Sequence, residues 1–241
     1  MRSSSRSAHR VRGVVVFLGL SVSIASAAAI PSLPSNLPAP ERARLERVAD
    51  EASVATRVAT EPFVTRREVF EYLLDHLEFA THVTRTLRLA RYRVWRTPAG
   101  LFLDDGWGAT GHFSVVHAAA GTRVMYARGS FRQTALPTVH GEAVAMIEYE
   151  VTPAAGGRDL VHATVSGFVK LDSAVLALAT KIAGVIAQRK ADLEARRLIR
   201  VFARVSRAIE DDPSGVYERL RQRPDVPGRE MEEFGRLLNL R

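Results

Sequence analysis

Polar and apolar positions change rhythm twice along this chain. From 41 to about 88 the spacing is mostly helical. "ERARLERVADEA" (41–52) places Leu45 and Val48 on one side of a short amphipathic helix. "SVATRVATEPF" (53–63) alternates instead, predicting a first strand that Pro62 stops. "TRRE" (65–68) has the form of a capping box, Thr65 with Glu68 three residues on. It opens a helix whose apolar residues Val69, Tyr72, Leu73, Leu77 and Ala80 recur at helical spacing, and a second short helix is expected near 80–88. From Tyr92 to Lys170 the period falls to two. The runs 91–96, 101–105, 111–117, 123–131, 142–151 and 160–171 are separated by glycine-rich turns and predict six consecutive antiparallel strands. Helical spacing then returns from Ser173 to about Ile209. "DDPSG" (211–215) breaks it, and two short helices near 215–222 and 228–239 complete the chain.

Alternate side chains of a strand point to opposite faces. One face is predicted to carry Phe113 and Val115 with His117 in line, then Met125, Ala127, Gly129 and Phe131, with Arg123 on the same side. It continues with Ala143, Ala145, Ile147, Tyr149 and Val151, and with Val161, Ala163, Val165, Gly167 and Val169. The long helix opens with "SAVLALATKIAGVIAQ" (173–188), where small residues such as Ala177 and Gly184 alternate with Leu178, Ile182 and other bulky ones. Its apolar core, Ala174–Ala187, is too short for an ordinary bilayer span and fits a buried helix. Small side chains on both walls fit a tightly packed core, and equally an apolar space that a ligand fills.

The order of strand, two short helices, a run of strands and one long C-terminal helix resembles the START-like (SRPBCC) helix-grip superfamily. The likeness covers about residues 53–209 and rests on the order and size of the elements. It implies an α+β fold in which a curved antiparallel sheet wraps around the C-terminal helix, with a short helical extension after it. It also implies an apolar ligand (a lipid, sterol or isoprenoid) held between sheet and helix, usually without catalysis. The implied lining is Phe113, Val115, His117, Met125, Ala127, Phe131, Ala145, Ile147, Tyr149, Ala163, Val165, Leu178 and Ile182. A minority of relatives catalyse reactions in that space. A cyclase- or aromatase-type enzyme would have to draw on His117, His140 and Tyr149, and Tyr149 and Arg123 could otherwise fix a ligand headgroup. An interaction module with a filled core is the remaining alternative.

The N-terminus changes the setting. Arg2, Arg6, Arg10 and Arg12 precede the apolar run "GVVVFLGLSVSIA" (13–25) and the small residues "ASAAA", the layout of a secretory signal peptide over 1–27. An uncleaved N-terminal anchor is the alternative; either way the mature chain is expected in the periplasm or outside the cell. Residues 28–52 then form a proline-rich linker and a short helix, 53–210 the ligand-binding domain and 211–241 a helical extension. The chain has no cysteine, which excludes a lipoprotein anchor, disulfides and thiol catalysis. The net charge of +8 is partly the leader's: without its four arginines, 34 basic residues become 30 against 26 acidic ones. No basic patch interleaved with aromatics points to nucleic acid. A run of basic residues, Arg189 to Arg207, reads as a solvated helix face, or as a peripheral contact with anionic membrane.

Dedicated chemistry is sparse. No two histidines stand at HxH spacing or at the i, i+4 spacing of a helical zinc pair, so no metal is expected. Asp104 and Asp105 beside Trp107 read as a solvated acidic turn. There is no GxSxG elbow, and "GWGATG" (106–111) matches no phosphate-cradling glycine motif, so no cofactor is expected either.

Overall fold

The computed structural model describes residues 33–132, 138–172 and 181–240, with the side chains of 181–187 and 190 outside that description. In chain order the elements are α1 (Ala39–Asp50), β1 (Val54–Ala59), β2 (Phe63–Thr65), α2 (Arg67–Asp75) and α3 (Leu77–Thr86). The strands β3 (Arg93–Thr97), β4 (Gly100–Asp104), β5 (Ala109–Ala119), β6 (Thr122–Phe131), β7 (Val139–Pro153) and β8 (Asp159–Leu171) follow. The chain ends with α4 (Lys181–Asp211), α5 (Pro213–Arg221) and α6 (Gly228–Leu237). The fold is α+β: one curved, eight-stranded antiparallel sheet with helices at its C-terminal end. Strand order is β1-β8-β7-β6-β5-β4-β3, and β2 also pairs with β8.

The sequence of β7 explains why the sheet is covered on both sides. "AVAMI" (143–147) is apolar at odd and even positions alike, which suits a strand buried on both faces. On the even face, Val144 and Met146 join Val124 and Phe168 under α1, which inserts Leu45 and Val48. Both are fully buried, and each such burial contributes about 1.5–3 kcal/mol. The helix expected as part of a linker is therefore a wall of the domain. On the odd face, Ile147, Tyr149, Val161, Ala163 and Val165 pack against Phe70 and Leu74 of α2 and Ile199 of α4.

A third core lies among the helices. Val69 and Leu73 of α2 meet Phe79 and Val83 of α3, Val205 and Ile209 of α4, Leu220 of α5 and Phe234 of α6. The extension after residue 211 thus shares a core with the two helices between β2 and β3. α2 serves two cores because its apolar residues form two adjacent i, i+4 pairs, 69/73 and 70/74.

The start of α2 departs from the sequence reading. Thr65 is fully buried in β2, and the N-cap is Arg66, which makes no side-chain cap. The free backbone amides are met from afar instead: Arg66 N donates to Glu210 Oε1 and Arg67 N to Asp159 Oδ2, both at 2.9 Å. Carboxylates there also complement the helix dipole. By contrast α5 is capped locally, Asp212 Oδ1 accepting from Gly215 N at 2.8 Å.

Sheet curvature comes from glycine. Gly111, Gly129 and Gly141 are cross-strand neighbours on β5, β6 and β7. A Cβ on Gly129 would sit 2.3 Å from Thr110 O, and one on Gly141 would sit 2.5 Å from Lys170 O. The backbones approach more closely than any side chain permits, as at the bends of strongly curved sheets.

Candidate functional site

On the odd face, the row crossing these glycines reads Leu103, Gly111, Gly129, Gly141, Leu171 from β4 to β8. The next row reads Leu101, Phe113, Ala127, Ala143, Val169. Bulky residues flank both rows: in the first, β5, β6 and β7 carry only a hydrogen atom, and in the second β6 and β7 carry a methyl group beside Phe113 of β5. Side chains missing from the middle leave a hollow of about 210 Å³, closed at one end by Phe131 and Val139. The lining is apolar, because Arg128, Glu142 and His140 on the same strands alternate to the other face.

The expected site residues divide between this hollow and the filled core. Phe113, Ala127 and Phe131 line the hollow. Val115 follows on the same face and is exposed, opposite Met125, which in turn faces Ala145. Ile147, Tyr149, Ala163 and Val165 lie further along, under α2 and α4. Leu178 lies outside the described residues, and Ile182 is described in backbone alone. Leu103, Val139, Ala143, Val169 and Leu171 also line it. Ala143 and Val169 belong to the face read from alternation, and Leu171 is the next step of the same period.

His117 is not in line with Phe113 and Val115. Val115 faces Met125, but a β-bulge follows, and His117 faces Val124 on the side that α1 covers. One extra residue, Val116, turns every later side chain of β5 over. His140 is exposed and lies on that same even face, opposite Ser130. The trio His117, His140 and Tyr149 is therefore not assembled.

Arg123 and Tyr149 do share the odd face, and both are engaged by α2. The Arg123 guanidinium donates from Nε and Nη2 to Asp75 at 2.7 and 3.1 Å, and from Nη1 to Ala119 O and Thr122 O at 2.5 and 3.0 Å. Tyr149 Oη accepts from Arg123 Nη1 at 3.3 Å and donates to Glu71 Oε1 at 3.0 Å. Burial, followed by the hydrogen bond to Glu71, raises the Tyr149 pKa, so the hydroxyl stays a donor at neutral pH.

The acidic turn is also more ordered than expected. Asp105 is buried and accepts from Trp107 N and Ala109 N at 2.6 and 3.0 Å, which fixes the turn from inside. Trp107 then meets α4, with the Arg197 guanidinium 4.0 Å over its ring. Tyr92 packs edge-on against Trp107, and Arg197 pairs with Glu194 at 2.7 Å. Nine residues before Arg197 on α4, Gln188 donates to Ala55 O of β1 at 2.7 Å. The helix thus touches both β1 and the β4–β5 turn.

Among the described residues no three His, Asp or Glu side chains are grouped to hold a metal, and no helix is long and apolar enough to cross a membrane.

No family model matches the chain, and no curated protein matches it. Among solved structures, a hypothetical protein from Helicobacter pylori is similar over 74% of this chain and 99% of its own, at 10% identity and a TM-score of 0.38.

Proposed function

We propose that this chain is a non-catalytic binding protein that holds a slender apolar chain, acyl or isoprenoid, in the hollow of its sheet. The supporting observation is the pair of cross-strand rows, in which β6 and β7, joined by β5 in the glycine row, give up side-chain volume between bulky neighbours. Transfer of apolar ligand surface into this space is favourable by about 25 cal/mol per Å². At about 210 Å³ the hollow is smaller than the roughly 300–1,000 Å³ of drug-sized sites, which favours a thin chain over a fused-ring sterol. The helix-grip arrangement belongs to the same reading. It is supported by α4 meeting β1 through Gln188 and the β4–β5 turn through Trp107. Export completes it, on the strength of the basic and then apolar N-terminus.

Native mass spectrometry tests the proposal on the chain purified without detergent from an exporting host. A stoichiometric apolar molecule is expected on the parent protein and not on Ala143→Leu, which fills the middle of the hollow. A bare mass that stays bare after incubation with a mixed lipid extract would overturn the reading and favour an interaction module.

A further inference from the structure

Many arginines of this protein are ion-paired. Arg57, Arg66, Arg67, Arg93, Arg96, Arg123 and Arg197 each sit within 4.0 Å of a carboxylate. The outer side of α4 instead carries a run of arginines without such a partner among the described residues. Arg196, Arg200, Arg204 and Arg207 are all exposed, and none has a carboxylate at that distance among the described residues. Arg200 Nε donates to Arg196 O instead, at 3.1 Å. Spacings of four, four and three residues keep the four side chains within an arc of about 80° and about 17 Å of helix axis. Like charges one turn apart repel, so this stripe is a local cost that a bound anion would relieve.

The stripe also lines a cleft. All four arginines border a space of about 690 Å³ between α4 and the β1–β2 connection, where Glu61 is the one acidic residue among the described lining. The floor is apolar, lined by Val58 of β1, Phe63 of β2, and Ile199 and Ala203 of α4. One turn before Arg196, Leu193 extends the same side of the helix and is 56% exposed. Guanidinium groups match phosphate oxygens through paired N–H donors, and an apolar floor beside them suits a hydrocarbon tail.

We infer that this cleft binds a phosphate-headed amphiphile, the headgroup held by Arg196, Arg200, Arg204 and Arg207 and the tail laid on Ile199, Ala203 and Phe63. The site is separate from the hollow and does not depend on it. Dodecyl phosphate below its micelle concentration, inorganic phosphate and dodecanol are the probes, titrated into the full chain by calorimetry. Dodecyl phosphate is expected to bind at least tenfold more tightly than either of the others. Arg200→Gln with Arg204→Gln should weaken it at least tenfold, whereas Arg219→Gln on α5 and Ala143→Leu in the hollow should not. A parallel arm uses phosphatidylcholine vesicles with and without phosphatidic acid. Binding there but not to the monomer would place the headgroup in a bilayer, and the same double variant must abolish it. Equal affinity for inorganic phosphate, or wild-type affinity in a folded double variant, would overturn the inference.

Discussion

Arg123 Nε and Nη2 reach both carboxylate oxygens of Asp75, yet the arginine is buried and the aspartate side chain is 45% exposed. That asymmetry makes the two halves of the pair unequal. Asp75→Ala strands a buried guanidinium with donors unmet, at a cost of about 1–3 kcal/mol. Arg123→Met leaves Asp75 to water and keeps apolar volume under α2, so it should cost less. Urea denaturation of the two variants checks the order; the reverse order would mean that the carbonyls of Ala119 and Thr122 depend on the arginine more than the arginine depends on Asp75.

The glycine row gives a sharper test. A methyl group on Gly129 would meet backbone atoms at 2.3 and 2.9 Å, which no side-chain rotation relieves. Gly129→Ala should destabilise the fold by more than about 2 kcal/mol. Gly228, at the start of α6, has open space around it, and Gly228→Ala should stabilise by about 0.4–1 kcal/mol. Thermal melts of both proteins measure the contrast.

Leu45 is fully buried against the back of the sheet. Leu45→Ala is expected to cost about 2–5 kcal/mol, a core value rather than a linker value. A chain trimmed to begin at Ser53 should expose Val144, Met146 and Phe168 and bind a hydrophobic dye, whereas one beginning at Leu33 should not. Equal dye binding by the two would remove α1 from the domain.

His82 sets a pH dependence. Burial holds its pKa below the ordinary 6.5; Asp225 and Glu78 pull it upward, while Arg85 and Arg223 press it down. Because the folded value is depressed, the unfolded chain binds the proton first as pH falls. Stability is therefore complete above 6.5 and declines from there toward the folded value. Melting temperatures between pH 8 and 5.5 should fall less steeply in His82→Phe than in the parent, and matching slopes would exclude this histidine as the cause.

The six strands from 93 to 171 were legible because alternation needs only neighbours in sequence. So were the two tail helices, marked by Pro213 and Gly228. What stayed hidden depends on tertiary contact. A single bulged residue, Val116, leaves the period intact to the eye and turns His117 over. Thr65 and Glu68 have capping-box spacing, yet the N-cap is Arg66, and the amides of Arg66 and Arg67 are met by Glu210 and Asp159. Asp105 looks like any turn aspartate until its two backbone donors close around it. Half of the candidate site could be read from the small residues on the odd face; that the other half would be plugged by Phe70 and Leu74 could not. Val144 and Met146 give β7 a second apolar face, but alternation alone does not say that α1 covers it.

The borrowed carboxylates at the start of α2 bear on the order in which the molecule is made. Asp159 lies 92 positions beyond Arg67, and Glu210 lies 144 beyond Arg66. The helix leaves the ribosome early but cannot be finished until the last strand and the end of α4 exist. Closing loops of that length slows folding, so this chain should reach its native state at the pace of a non-local β protein despite the six helices among its described residues.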